Sequence, residues 1–362
     1  MKCLVVSDSF KGTLSSNEIG SIIKEELNKK NILCDYYPVS DGGEGFIEAI
    51  SYILKIDSNK ISCIDALNKE SMARYVYDKS DNTLYVEMAE VCGLQKLKGI
   101  KSAYNASSYG LGKFIVDAIK ICNPKRVVVG LGGTASVDLG FGFLEGMGAK
   151  FYDKDNNIIK FLSNNKLPLV KRIDSSELKK YNNIDFIIVN DVKITIFGPE
   201  GTILKYGKQK CNDNENILTL ENNAKSVFPL IKDLTKIDDY LGGGAAGGVA
   251  YAINAFFKSS EISGTELIFD KIRLNELVKK YDYIITGEGH FDSQTFQGKV
   301  VNGVLKATKN YIIICGGMES NFNLKNVYPI VPNVASLEES LKNPKKCLKK
   351  LINSINWEEL YG

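Results

Sequence analysis

The sequence predicts an α/β protein with parallel-sheet cores, on three observations. Short apolar runs alternate with helix-period segments near the N-terminus, the same alternation returns near the C-terminus, and the stretch between them has a different texture. That middle reads as an inserted domain. At 362 residues and 44% hydrophobic content, the chain is long enough for two domains with large buried cores.

Residues 2–7 read as a short buried strand, followed by a polar loop. Ser15-Ser16-Asn17-Glu18 is a capping box, and the apolar Ile19, Ile22, Ile23 and Leu27 behind it recur at helical spacing. A second strand is predicted near 33–37, running into a glycine-rich turn. Late in the chain, Tyr283-Ile284-Ile285 and Tyr311-Ile312-Ile313-Ile314 are strand-like and each leads into a glycine-containing turn. From about 55 to 105 the segments are shorter and alternating, as in Leu84-Tyr85-Val86-Glu87-Met88, and 150–225 is rich in Asn and Lys with weak periodicity.

Composition narrows the function. Lys plus Arg number 46 and Asp plus Glu 43, a formal charge of +3 spread along the chain. Neither a nucleic acid nor a membrane partner is expected. The apolar run Cys3-Leu4-Val5-Val6 stops at Asp8 and is too short for a signal peptide, so a soluble, cytoplasmic protein is expected. The eight cysteines, at 3, 34, 63, 92, 122, 211, 315 and 347, form no CxxC unit. They are expected as reduced core residues, without a zinc site or a disulfide framework. His290 is the single histidine, which leaves Ser-His-Asp and Cys-His mechanisms one candidate base.

Ligands of α/β sheets bind at the loops beyond the carboxyl ends of strands. Five such places combine turn residues with ionisable ones. Ser7-Asp8-Ser9-Phe10-Lys11-Gly12-Thr13 lies between a strand and a helix, either as an anion site built on backbone N–H groups and Lys11 or as a loop with a solvated lysine. Ser40-Asp41-Gly42-Gly43-Glu44-Gly45 pairs two carboxylates with glycines that admit a ligand closely, which suggests a metal-phosphate site. Gly130-Leu131-Gly132-Gly133-Thr134-Ala135 matches the G-x-G-x-x-A dinucleotide pattern, with Asp153 at ribose-contact distance, but such triplets are common in a chain with 32 glycines. The run Gly242–Gly248 has no side chain larger than methyl and permits close approach to a phosphate or to another helix. Last, Thr286-Gly287-Glu288-Gly289-His290-Phe291-Asp292-Ser293-Gln294-Thr295 with Gly298-Lys299 carries two carboxylates, a lysine and the histidine. Carboxylates, lysines and glycine loops at strand ends are the parts of phosphoryl transfer. Walker A and protein-kinase signatures are absent.

These motifs together, with Glu87-Met88-Ala89, Gly93-Leu94 and Gly207-Lys208-Gln209-Lys210, resemble the bacterial glycerate kinase family in order and spacing along nearly the whole chain. The resemblance implies ATP- and Mg²⁺-dependent phosphorylation of D-glycerate, with the 2-position favoured over the 3-position. It also implies a Rossmann-like domain formed by both termini, residues 1–60 plus 275–362, with a second α/β domain, 61–274, inserted and the active site in the cleft between them. A monomer or homodimer is expected. Roles follow as expectations. Asp8 and Lys11 would meet the transferring phosphate or the substrate carboxylate, Asp41 and Glu44 would hold Mg²⁺ or the nucleotide, and Asp191 or Asp138 would be the base. Lys210 and Lys299 would neutralise charge. Ser9, Gly42, Gly43, Gly132, Gly133, Thr134, Gly244, Gly247, Glu288, Asp292, Gln294 and Thr295 complete the expected substrate and nucleotide contacts.

The chain departs from the family pattern at several positions. Where the family usually shows Ser-Ala-Thr-Asn-Asp-Gly-Gly, it has Thr134-Ala135-Ser136-Val137-Asp138-Leu139-Gly140. The segment that often reads Cys-Asp-Val-x-Asn-Pro-Leu is Asn190-Asp191-Val192-Lys193-Ile194-Thr195-Ile196 here, and a frequent arginine is His290. These changes bear on the choice of acid. A kinase for another hydroxy acid and a nucleotide-binding homologue without catalysis are the alternatives they raise. With only four arginines, at 74, 126, 172 and 273, lysines and backbone groups are expected to bind the carboxylate.

Overall fold

The computed structural model describes residues 1–212, 214–291, 295, 299–319 and 324–361. Among them are fourteen strands: β1 (Lys2–Val5), β2 (Leu33–Tyr36), β3 (Asn59–Ile64), β4 (Glu70–Asp78), β5 (Thr83–Glu87), β6 (Arg126–Gly130), β7 (Lys150–Tyr152), β8 (Ile158–Ile159), β9 (Arg172–Asp174), β10 (Asp185–Val189), β11 (Ser259–Ile262), β12 (Tyr283–Phe291), β13 (Tyr311–Met318) and β14 (Val327–Pro329). The chain forms two compact units. The first contains Met1–Ser40, Glu48–Lys55 and Thr265–Gly362, the second Asp41–Ile47 and Ile56–Gly264. These limits differ from the expected 60 and 274, and the glycine-rich turn at 41–47 groups with the second unit because its backbone lies on β6 and β10.

The first unit is Rossmann-like and is built from both termini. Its five strands run in the order β14-β13-β12-β1-β2, all parallel. The capping box forms as predicted: Ser15 Oγ accepts from Glu18 N and Glu18 Oε2 accepts from Ser15 N, opening the helix Ser16–Lys29. That helix buries Ile19, Ile23 and Leu27 with Leu348, Leu351 and Ile352 of the helix Pro344–Ser354 against Cys3, Val5, Ile285, Ile312 and Ile314. Val301, from the helix Lys299–Ala307, packs instead with Ile313 and Cys315 on the opposite face. The chain thus winds outward in both directions from β1 and β12. Their adjacent carboxyl ends are the topological switch point of the sheet, the usual ligand position in open α/β folds.

The second unit carries a six-stranded sheet, β11-β10-β6-β5-β4-β3. β5, β6, β10 and β11 are parallel, and β4 and β3 extend the sheet as an antiparallel edge. The apolar alternation seen around residue 85 does not produce one wet face, because every residue of β5 is buried. A parallel sheet covered on both sides has no solvent face to serve. The Asn- and Lys-rich segment after 150 holds a small antiparallel sheet, β8-β7-β9. Six of the eight cysteines are buried and all eight are free thiols.

Three glycine segments meet at the carboxyl edge of this sheet. A Cβ on Gly42 (φ +88°) would lie 2.6 Å from Val189 O, one on Gly130 2.6 Å from Gly42 O, and one on Gly132 2.6 Å from Gly43 Cα. Further along, a Cβ on Gly244 would reach Thr195 O at 2.2 Å and one on Gly247 (φ +66°) would reach Ser136 O at 2.4 Å. Backbone is packed on backbone, and no other residue type fits. Leu139 is the opposite case. Its φ of +56° costs an L-residue roughly 1–2 kcal/mol, while burying its side chain to 1% exposure returns about 1.5–3 kcal/mol, so the buried side chain outweighs the strain. Gly132→Ala is expected to lower stability by about 1–3 kcal/mol through overpacking, read as a lower urea midpoint. An unchanged midpoint would show that the two loops are not in close contact.

Candidate functional site

In the first unit, the loop after β1 folds back on itself. Phe10 N donates to Leu14 O (2.9 Å), Thr13 Oγ1 donates to Phe10 O (2.8 Å), and Gly12 sits at φ +79°. Lys11 is exposed at its tip. Asp8 Oδ1 accepts from Ser9 N at 2.7 Å, and Asp8 N with Ser7 Oγ donates to Gly287 O at 3.0 and 3.1 Å. The structure therefore brings Asp8, Ser9 and Lys11 beside the Gly287-Glu288-Gly289 end of β12. Thr286, fully buried one residue before it, has a hydroxyl with no hydrogen-bond partner. An orphan hydroxyl under a switch-point loop fits a site whose remaining hydrogen bonds come from a ligand. His290 is exposed and pairs with Gly317 in the sheet. Thr295 is buried; Asp292 and Gln294 lie outside the described residues, as does the side chain of Lys299.

In the second unit, the 41–45 loop lies over the ends of β6 and β10. Asp41 Oδ1 accepts from Gly43 N at 2.9 Å, an Asx turn that keeps the tip compact, while Glu44 is exposed. Leu131 N donates to Val189 O at 2.9 Å, so the segment carrying Gly132, Gly133 and Thr134 leaves β6 alongside the end of β10. Asp191 follows two residues after that end. Its Oδ1 accepts from Gly264 N at 3.1 Å, at the start of the helix Gly264–Ile272, and its side chain remains half-exposed.

The other candidate base has a different setting. Asp138 is fully buried, with Oδ2 accepting from Ser108 N and Ser108 Oγ at 2.7 and 2.8 Å and Oδ1 from Gly140 N at 3.2 Å. Burial pushes its carboxyl up, against those hydrogen bonds. Lys210 is buried close by; its Nζ donates to Ser136 O at 3.1 Å, and burial pushes it down to about 8, with the Asp138 charge working the other way. Gly244 and Gly247 have their Cα faces covered by protein backbone. They shape the wall behind the Ser136 and Thr195 loops.

Two side chains outside the expected set complete these loops. Asp239 accepts from Ile196 N and Phe197 N at 3.0–3.1 Å, pinning the segment downstream of Asp191. Glu87, 2% exposed at the end of β5, accepts from Gly45 N and Ile47 N. A carboxylate closing a buried strand just before a helix was the one local sign that Glu87 serves a loop. Asp239, in the polar stretch before the glycine run, carried none.

A cavity of about 280 Å³ opens beside the Asp191 loop, with Lys193, Lys205, Tyr206 and Leu241 among its walls. Among the described residues no group of three or more His, Cys, Asp or Glu side chains is assembled as a cage for a metal. Mg²⁺ asks for less, one or two carboxylates plus phosphate oxygens and water, and Asp41 with Glu44 matches that donor set.

Parallel-sheet α/β units with acidic, lysine-bearing glycine loops at their strand ends define a small-molecule phosphotransferase. Comparison with known proteins makes the class specific. The model of the Glycerate kinase family matches residues 3–357, and the chain belongs to that family. It is 28% identical to a glycerate kinase of Neisseria meningitidis serogroup B, covering 98% of both chains. It is 29% identical to a glycerate 2-kinase of Escherichia coli K12, covering 94% of this chain and 93% of the relative. A solved structure presented as a candidate glycerate kinase 2 from Salmonella typhimurium LT2 superimposes with a TM-score of 0.79 at 28% identity, covering 97% of this chain and 96% of that one. The enzyme is accordingly a glycerate kinase, a phosphotransferase with an alcohol group as acceptor. No helix among the described residues is long and apolar enough to cross a membrane.

The buried acid Glu87 makes a pH signature. Burial raises its carboxyl from 4.5 to about 8, outweighing the two backbone hydrogen bonds. The folded protein then holds a proton that the unfolded chain has released, so this contribution to stability is full below pH 4.5 and is lost as pH rises toward 8. Glu87→Gln is expected to flatten the decline in urea midpoint across that window. An identical pH profile in the variant would contradict it.

Proposed function

We propose that the enzyme transfers the γ-phosphoryl group of ATP to the 2-hydroxyl of D-glycerate, with Mg²⁺ bound on the nucleotide. The observation that carries this reading is the seating of Gly42 on Val189, two residues before Asp191. It puts the acidic glycine loop and a half-exposed aspartate at the end of one strand.

Asp191 is the base. Held at Oδ1 by Gly264 N, its carboxylate has a set orientation and accepts the proton as the acceptor hydroxyl attacks. Asp41 and Glu44 would hold Mg²⁺, whose charge would offset that of the phosphates. Asp138, satisfied by Ser108 and Gly140, fixes the Ser136 loop and leaves proton transfer to Asp191. Lys210 carries a positive charge below about pH 8 and raises the local potential at the Ser136 backbone. In the first unit, Lys11 and Ser9, with the unmet Thr286 hydroxyl, bind an anionic group of phosphate or carboxylate at the switch point, and Asp8 and Glu288 accept hydrogen bonds from the hydroxyls of the bound ligand. Thr134, Gly132 and Gly133 supply the floor of the loop beside Asp41, and the family resemblance assigns Asp292, Gln294, Thr295 and Lys299 to substrate or nucleotide binding. Of the replaced family positions, Val137 and Ile194 are buried, and Ile194 also lines the cavity beside the Asp191 loop.

ADP release coupled to NADH oxidation should require D-glycerate, ATP and Mg²⁺ together, and phosphorus NMR should identify 2-phosphoglycerate. Release with other hydroxy acids but not with D-glycerate would reject the substrate, and a 3-phospho product would reject the position. Asp191→Asn is expected to lower kcat by about 10²–10⁴-fold with an unchanged circular dichroism spectrum. A kcat within a few-fold of the parent would remove Asp191 from the role.

A further inference from the structure

Glu87 ends β5, and its register partner in the sheet is Gly130 of β6. Gly130 is the residue whose missing side chain makes room for Gly42 O and the ring of Phe46. Glu87 therefore stands at the base of the 41–47 segment, beside the glycine that lets the segment approach. Its two oxygens are divided between two backbone donors, Oε1 taking Gly45 N at 3.2 Å and Oε2 taking Ile47 N at 2.9 Å. The charged groups around it come from two elements. Glu90 lies on the short helix Met88–Cys92, and Arg74 on β4 is spent on Glu90, with its Nε 2.8 Å from Glu90 Oε1. The Arg74 charge favours the ionised form of Glu87 and the Glu90 charge opposes it, both less than burial does.

A buried acid is an expensive way to fill space, and an apolar side chain of the same volume would serve packing better. What it offers is two acceptors at fixed spacing, which hold two backbone groups of one loop at once. The donors flank the helix start at Phe46 and follow directly on Glu44. We propose that Glu87 is a positioning residue of the phosphotransfer reaction, holding the 41–45 loop on the strand ends so that Asp41 and Glu44 are presented to the Mg²⁺–nucleotide. This rests on the reading of Asp41 and Glu44 given under Proposed function.

The test compares Glu87→Gln and Glu87→Asp with the parent enzyme. Gln keeps the shape but sets an NH₂ against one of the two N–H donors, and Asp keeps the carboxyl group one methylene short. Hydrogen–deuterium exchange on the nucleotide-free protein should show faster exchange confined to peptides spanning 41–47 in both variants. The KM for MgATP and the Mg²⁺ concentration at half-maximal rate should rise about tenfold, the loss of one buried hydrogen bond, while the KM for glycerate moves less than twofold. Unchanged exchange at 41–47, or KM values for both substrates that shift together, would overturn the proposal and leave Glu87 a cap of the helix Phe46–Leu54. If 41–47 loosens while neither the MgATP nor the Mg²⁺ response moves, the proposal fails as well. A parent enzyme that needs no ATP at all would instead refute the function assigned to the loop, an outcome separable because the exchange result does not depend on turnover.

Discussion

The second unit depends on backbone lying directly on backbone at the carboxyl edge of its six-stranded sheet. Gly42 rests on Val189, Gly132 on Gly43, Gly244 on Thr195 and Gly247 on Ser136, each at a separation that excludes a Cβ. Glycine loses more conformational freedom on folding than any other residue, so these positions are costly. The return is geometric, since three loops from distant parts of the chain can share one strand end with no side chains between them. Asp41, Ser136 and Asp191 are carried there on those loops.

The protein also holds these loops with carboxylates. Asp239 takes Ile196 and Phe197, Asp138 takes Ser108 and Gly140, and Glu87 takes Gly45 and Ile47. Glu145 does the same for Phe161 and Leu162 outside this edge, with hydrogen bonds of 2.7 Å. For Asp138, Glu87 and Glu145 the balance is the same: accepted N–H groups favour the charged form, and desolvation, the larger effect, opposes it. Such acids resemble catalytic ones in sequence and differ from them in exposure. Asp191 differs from them in exposure: its Oδ1 accepts from Gly264 N and its side chain is half-exposed.

The first unit solves a separate problem by topology. With one helix-linked pair winding each way from β1 and β12, no crossover covers the gap between their ends. The loops carrying Asp8 and Lys11 on one side and Glu288 on the other emerge there and are tied by Gly287 O. This arrangement needs no glycine-rich phosphate signature, which is why familiar nucleotide motifs gave no guidance.

Much of this was legible in the sequence because it depends on near neighbours. The capping box at Ser15 and Glu18, the helix face Ile19–Leu27, the buried strands and the strand-end loops carrying Asp8, Asp41 and Asp191 follow from local spacing; Thr286–Phe291, expected as a turn, instead continues β12. Their order along the chain was enough to suggest the family. The rest depends on contacts between residues far apart. The 41–47 turn grouped with the second unit because its glycines meet Val189 and Gly130, and nothing within the turn encodes those partners. Asp138 and Asp191 looked equivalent as bases until tertiary burial enclosed one and left the other half-exposed. The glycine run at 242–248 announced close approach, and only the fold determined that its neighbour is protein backbone. Sequence alone determined which residue types stand at the strand ends; tertiary structure decided which are used for packing and which are open for chemistry, because desolvation and steric exclusion are properties of the assembled neighbourhood.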